Sequence, residues 1–212
     1  MALYYDVLGV SPGIADPAET DFYQGYQKQL IELRPTLEAK ERYFLTGHFR
    51  YRDIVQALGK FASQISLITF VRDPVQRALS DYFYSFSDTH PDHGQFRSEF
   101  PTFESYVENA GQMNKQFMYL APHENACVDE TIAAIEENFS FVGITELYAE
   151  CEREIFAELD LELPPPVHRN RGSDTAEKTH SMELYGELLA EAQGDEFELY
   201  NHFYRKACAS KN

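Results

Sequence analysis

The chain has 212 residues and a mass of 24.4 kDa, and 43% of it is hydrophobic and 14% aromatic, enough to bury roughly 70% of the unfolded surface as one domain. Intrinsic disorder is thereby excluded, and a 25% share of charged residues excludes a dominant low-complexity tail or coiled coil. The 35 acidic against 18 basic residues leave a formal charge of -17, which excludes a general binder of nucleic acid or of anionic membrane.

No internal repeat or linker divides the chain, so residues 1–212 are expected to form a single domain. Val7 to Pro17 is turn-rich, and Asp21 to Leu33 has helical spacing that ends before Pro35. Tyr43 to Thr46 predicts a short strand entering Gly47-His48, and Asp53 to Leu58 a short helix. Ile65 to Val71 is a β-branched and aromatic run, the pattern of a central parallel strand buried on both faces. Arg72 follows at once, then Asp73 as a helix N-cap and Pro74 at the first helical position, which start a helix running to about Ser87. Phe103 to Val107 and Phe117 to Leu120 suggest two short helices. A Phe139 to Ile144 strand leads into a Glu146 to Leu159 helix, a second strand-to-helix step. Beyond Pro164-Pro165-Pro166 and the Val167 to Asp174 loop, Met182 to Ala192 and Phe197 to Ala207 carry apolar residues at three-to-four spacing, a helical carboxyl-terminal layer. Strands alternating with helices predict an α/β fold with a parallel sheet.

Cys127, Cys151 and Cys208 are odd in number and far apart, without a CxxC pair for zinc or redox work, so a reducing compartment, the cytoplasm, is expected. No apolar run reaches the ~18 residues of a membrane span, and the amino terminus lacks the order of a signal peptide. His90 and His93 resemble a metal pair, but two loop histidines without a third ligand are more often solvated, so no metal is expected.

Residues 28 to 77 reverse the overall charge, with nine of the 18 basic residues against five acidic ones. A small anion could sit there; scattered solvated charges are the competing explanation. In open α/β sheets ligands bind beyond the carboxyl ends of the strands, where helix amino termini present free N–H groups. Arg72 stands at that place, and Ser80, two turns along the following helix, projects from nearly the face of Asp73. The pair suggests a phosphate cradle. The alternative pairs Arg72 with Asp73 or a nearby carboxylate and leaves Ser80 a buried helix hydroxyl.

The segment Leu67-Ile68-Thr69-Phe70-Val71-Arg72-Asp73-Pro74-Val75-Gln76-Arg77-Ala78-Leu79-Ser80-Asp81-Tyr82-Phe83-Tyr84 resembles the 3′-phosphate-binding strand and helix of the carbohydrate sulfotransferases, of the heparan and uronyl 2-O-sulfotransferase type and their bacterial relatives. Gly47-His48-Phe49 is similar to that family's GH segment, Asn114 to Leu120 to its NxQxxxL-like helix, and Phe141 to Glu146 to its FVGxTE strand. His168 to Ser173 resembles its late basic loop, so the resemblance spans about residues 43 to 207. It implies a P-loop-NTPase-like parallel sheet flanked by helices, and transfer of a sulfuryl group from 3′-phosphoadenosine 5′-phosphosulfate (PAPS) to a carbohydrate hydroxyl. It makes Arg72 and Ser80 contacts to the 3′-phosphate, with Arg169 and Arg171 as further cofactor contacts, and His48 the general base. An imidazole of unperturbed pKa about 6.5 suits that role, because a sugar hydroxyl needs its proton taken during attack on sulfur.

One family feature has no counterpart. Nothing before His48 matches the strand and P-K-T/S-G-T loop that hold the 5′-phosphosulfate. Three explanations stay open: a longer natural chain, a member that binds a ligand or partner without catalysis, or a loop supplied by another polypeptide. A missing first strand would expose a sheet edge and invite homo-oligomers. Tyr4 to Ser11 also resembles the opening of a J-domain co-chaperone, but that resemblance ends there, since the required His-Pro-Asp lies far downstream at His90.

Overall fold

The computed structural model describes residues 30–32, 47–163 and 176–209, with the side chains of 176–182 left aside. Among these residues the protein is mixed α/β and mostly helical, with a small two-stranded parallel sheet. In chain order the elements are α1 (Tyr51–Leu58), a 3-10 turn (Gly59–Gln64), β1 (Leu67–Val71), α2 (Pro74–Phe86), α3 (His93–Glu99), α4 (Phe103–Val107), α5 (Lys115–Leu120), α6 (Val128–Asn138), β2 (Phe139–Ile144), α7 (Tyr148–Glu158), α8 (Ala176–Ala192) and α9 (Gly194–Ala209). Residues 30–32 are helical, in line with the end of the helix expected over Asp21 to Leu33. The rest of that helix, the Val7 to Pro17 turns, the Tyr43 to Thr46 strand and the Val167 to Asp174 loop lie outside the described residues.

The chain divides into two compact units: Met1–Leu67 with Met118–Ser140 and Glu162–Val167, and Ile68–Phe117 with Phe141–Leu161 and His168–Asn212. The first has a core of Leu30, Ile54, Ala57 and Leu58, against which Phe49, Phe61 and Ile65 pack. The second is centred on α2, whose Ala78, Leu79 and Tyr82 meet Phe100, Phe103, Tyr106, Val107, Met113 and Leu189. The spacing of Ala78, Leu79 and Tyr82 puts all three on one stripe of the helix, which is why α2 can be walled by α4 and α8.

The expected strand-turn-helix is present, with two changes. The strand begins at Leu67 rather than Ile65, because Ile65 closes the preceding 3-10 turn with its N–H on the Ala62 carbonyl. It is not buried on both faces as the sequence suggests: Leu67 to Phe70 are half-buried and only Val71 is fully enclosed. Among the described residues β1 has β2 as its single strand neighbour. The Asp73 carboxylate accepts from the Gln76 N–H at 2.9 Å with Pro74 at the first helical position, which fixes where α2 starts.

Where β1 meets β2, Gly143 lies against the Phe70 ring. A Cβ at Gly143 would stand 2.6 Å from Phe70 Cδ1 and 2.8 Å from Cζ, and that ring is flanked by Phe141 and Tyr148 at centroid distances of 6.5 and 5.3 Å. Gly143→Ala is therefore expected to overpack the sheet and cost about 1–3 kcal/mol. Thermal denaturation checks this; an unchanged melting temperature would show that the ring moves aside freely.

Candidate functional site

The site is built where β1 ends, in the second unit. A strand cannot continue through Asp73-Pro74, because proline has no N–H for the ladder, so the chain turns and the Arg72 side chain leaves at the strand's carboxyl end beside the first turns of α2. Arg72 Nη1 donates to Ser80 Oγ at 3.0 Å. The structure thus brings together two of the residues singled out in the sequence. Arg72 pairs with neither Asp73 nor any other carboxylate among the described residues, in contrast to Arg77 and Lys115, which do.

The Arg72 backbone is held by a side chain 44 residues away. Gln116, in the first turn of α5, accepts from the Arg72 N–H at 2.7 Å and donates through Nε2 to the Arg72 carbonyl at 2.9 Å. The same Nε2 lies 2.8 Å from Glu196 Oε1, while the Gln116 backbone N–H donates to Glu196 Oε2 at 3.0 Å. Glu196, in the first turn of α9, is fully buried. Burial of a carboxylate is tolerated only when its oxygens are met by donors, and Arg77 Nε completes the set at 2.6 Å. Arg77 Nη2 also donates to the buried Gln193 Oε1, and Asn114, at a positive φ of 52° that suits asparagine, accepts from the Glu196 N–H at 3.1 Å.

On the next turn of α2, Asp81 Oδ2 accepts from Lys115 Nζ at 2.6 Å and from the Tyr106 hydroxyl at 2.7 Å. Burial pushes the Asp81 carboxyl up, but the Lys115 charge and hydrogen bond, the Tyr106 hydroxyl and Arg77 outweigh it and hold it below its ordinary value. Burial and the Asp81 charge raise the Tyr106 hydroxyl in turn. A carboxylate depressed in the folded state contributes stability above its unfolded pKa of about 3.9, and that stability is lost as pH falls through the folded value. Asp81→Asn should accordingly destabilise the protein by about 1–2 kcal/mol at pH 7, discounted for partial exposure, and the gap to wild type should close below about pH 4. Urea midpoints measured from pH 3 to 7 test it; a gap independent of pH would remove the charge of Asp81 from the explanation.

On the far side of the turn, Glu146 Oε1 accepts from the Asp73 N–H at 3.1 Å, and Glu146 Oε2 accepts from the Tyr200 hydroxyl at 3.3 Å. Burial and then the Glu146 and Asp73 charges push that hydroxyl up. Thr145 Oγ1 donates to the Val71 carbonyl at 3.1 Å, which ties the end of β2 to the end of β1.

Can these groups hold a phosphate? Arg72 Nε is buried and has no hydrogen-bond partner among the described residues, an unusual state for a guanidinium nitrogen and one that an oxyanion relieves. Nε, Nη1 and the Ser80 hydroxyl are donors of the kind that an oxyanion accepts from. Compared with known proteins, the chain matches no family model, no curated protein and no solved structure.

His48 belongs to the first unit, where it is exposed and meets the Tyr119 ring edge-on at 6.3 Å. Arg169 and Arg171 lie outside the described residues. The His90-His93 segment is a turn: His93 Nδ1 lies 2.8 Å from the His90 carbonyl and His90 Nδ1 accepts from the Asp92 N–H at 3.2 Å. Among the described residues no cluster of three His, Cys, Asp or Glu is placed to hold a metal, and no helix is long and apolar enough to cross a membrane.

Sequence reasoning singled out Arg72 and Ser80 but not Gln116, Glu196 or Arg77 as one assembly. A signal for Gln116 exists in the Asn114 to Leu120 segment. Glu196 carries the acidic-first-turn signature of a helix start, hidden because the apolar spacing begins only at Phe197.

Proposed function

We propose that this chain is a sulfotransferase-like protein of P-loop-like topology that holds the 3′-phosphate of PAPS at Arg72 and Ser80 and directs its sulfuryl group to a carbohydrate hydroxyl. The observation that carries the reading is the Arg72 guanidinium at the carboxyl end of β1, bonded to Ser80 through Nη1 and left with a buried Nε that has no partner among the described residues. An arginine in that state offers a directional, charge-assisted fork to an oxyanion, and the helix start beside it adds a partial positive charge. His48 is the general base of this proposal, and Arg169 and Arg171 supply further cofactor contacts. Three free cysteines suit a reducing compartment, the cytoplasm.

These 212 residues contain no P-K-T/S-G-T loop, and this favours a second reading in which the protein binds 3′-phosphorylated nucleotides without transferring sulfate. Both readings require the 3′-phosphate site. Calorimetric titration with adenosine 3′,5′-bisphosphate tests it. Wild type is expected to bind, and Arg72→Ala to bind about 10- to 150-fold more weakly, the worth of a charge-assisted contact at about 1.5–3 kcal/mol. Equal affinities would overturn the proposal. Sulfate transfer to a glycan then separates the two readings.

A further inference from the structure

Arg72 can meet an anion only as well as its own backbone is fixed, and that backbone is fixed by Gln116. Toward Arg72 the Gln116 amide behaves as a neighbouring strand would, accepting from the N–H and donating to the carbonyl of the same residue. Its orientation follows from its partners: Oε1 faces an N–H, and Nε2 faces the Arg72 carbonyl and Glu196 Oε1. Flipping the amide would oppose donor to donor and acceptor to acceptors. Glu196 then does two things at once. It holds Gln116 through both carboxylate oxygens, and it takes Arg77 Nε, whereas the Arg72 guanidinium has no carboxylate partner among the described residues.

We infer that Gln116 and Glu196 are positioning residues of the anion site, so that filling the site is coupled to the seating of the first turn of α9. The inference rests on the reading that Arg72 and Ser80 hold a phosphate. The path is continuous: phosphate to the Arg72 side chain, Arg72 backbone to Gln116, Gln116 to Glu196, and Glu196 through its own N–H to Asn114. Coupling of this kind is reciprocal. If a seated α9 raises phosphate affinity by some factor, bound phosphate must favour the seated α9 by the same factor.

The test uses the full chain with adenosine 3′,5′-bisphosphate as probe and two readouts, affinity by calorimetry and amide hydrogen exchange. In wild type, ligand is expected to slow exchange at Arg72 and across residues 194–200 several-fold. Gln116→Met should weaken binding about 10-fold, within the usual range of coupling between sites, and should have no further effect once Arg72 is alanine. Glu196→Gln keeps the shape but sets a donor against the Gln116 N–H, and should weaken binding in the same direction. A merely structural Gln116 would lower stability without altering exchange at 194–200 on ligand addition. Binding that is weakened by Arg72→Ala, with exchange at 194–200 unmoved by ligand or Gln116→Met at wild-type affinity, would overturn the coupling and leave the phosphate reading standing. Equal binding by wild type and Arg72→Ala would overturn both. Should the variants fail to fold, the wild-type exchange measurement decides alone.

Discussion

Glu196→Ala is expected to destabilise the protein by about 3–5 kcal/mol, because it leaves the buried Arg77 facing only the Asp81 carboxylate, 3.7 Å away and shared with Lys115. Arg77 Nε would lose its 2.6 Å partner, and the Gln116 N–H and Nε2 would each lose an acceptor. Among the described residues Arg77 Nη1 is buried without a hydrogen bond, and its 3.7 Å approach to Asp81 Oδ2 replaces little of the 2.6 Å contact that is lost. Against a typical total stability of about 5–15 kcal/mol, this removes a large share. Replacing Arg77 and Glu196 together with apolar residues should be far milder than either single change, since the desolvation penalty then disappears with the pair. Urea unfolding followed by circular dichroism measures both, there being no tryptophan to report the transition. Additive losses in the double variant would show that the two charges do not depend on each other.

The second large effect is expected at Tyr106. Its side chain is fully buried between Tyr82, Phe100 and Phe103, with ring centroids at 5.4, 5.7 and 5.9 Å, and its hydroxyl donates to Asp81. Tyr106→Ala should cost about 3–5 kcal/mol through lost burial and the cavity left behind. Tyr106→Phe keeps the ring and loses one hydrogen bond, about 1 kcal/mol, and Lys115 still meets Asp81 at 2.6 Å. The ratio of the two losses separates packing from polar contact. Equal losses would assign the whole role to the hydroxyl.

What the sequence revealed and what it hid follow from distance along the chain. The β1-α2 step was legible because its signals are local: a β-branched run, an aspartate whose side chain caps the helix, and a proline where its missing N–H does no harm. The Phe139–Ile144 strand was legible for the same reason. Helix α6 was not foreseen, since its cap is a cysteine, an uncommon choice, although Asp129 and Glu130 mark its first turn and Val128, Thr131 and Ile135 its buried face. Helix α3 was not foreseen either: none of its residues is fully buried, so it leaves no apolar stripe in the sequence, and His93, taken as a loop histidine, is its first residue. Within the site, Arg72 and Ser80 are eight residues apart and sit on one strand-helix step, which sequence spacing can place. Gln116 and Glu196 are 80 residues apart, and Arg77 and Glu196 are 119 apart. Such pairs leave no periodic trace, and a buried glutamate reads as a solvated one until its partners are seen.

The site also shows why an isolated motif is a weak guide. Arg77 lies within α2 and Lys115 reaches it through Asp81, yet Glu196 and Asp81 occupy these two cations. Charge alone would have assigned both, with Arg72, to a ligand; the hydrogen bonds leave Arg72.

The claim that Arg72 and Ser80 hold a 3′-phosphate is tested most directly by phosphorus NMR of adenosine 3′,5′-bisphosphate, in which the two phosphates give separate resonances. Wild-type protein is expected to shift and broaden the 3′-phosphate resonance more than the 5′, with Arg72→Ala abolishing the 3′ effect and Ser80→Ala reducing it. A response confined to the 5′-phosphate, or a 3′ response that survives Arg72→Ala, would contradict that claim.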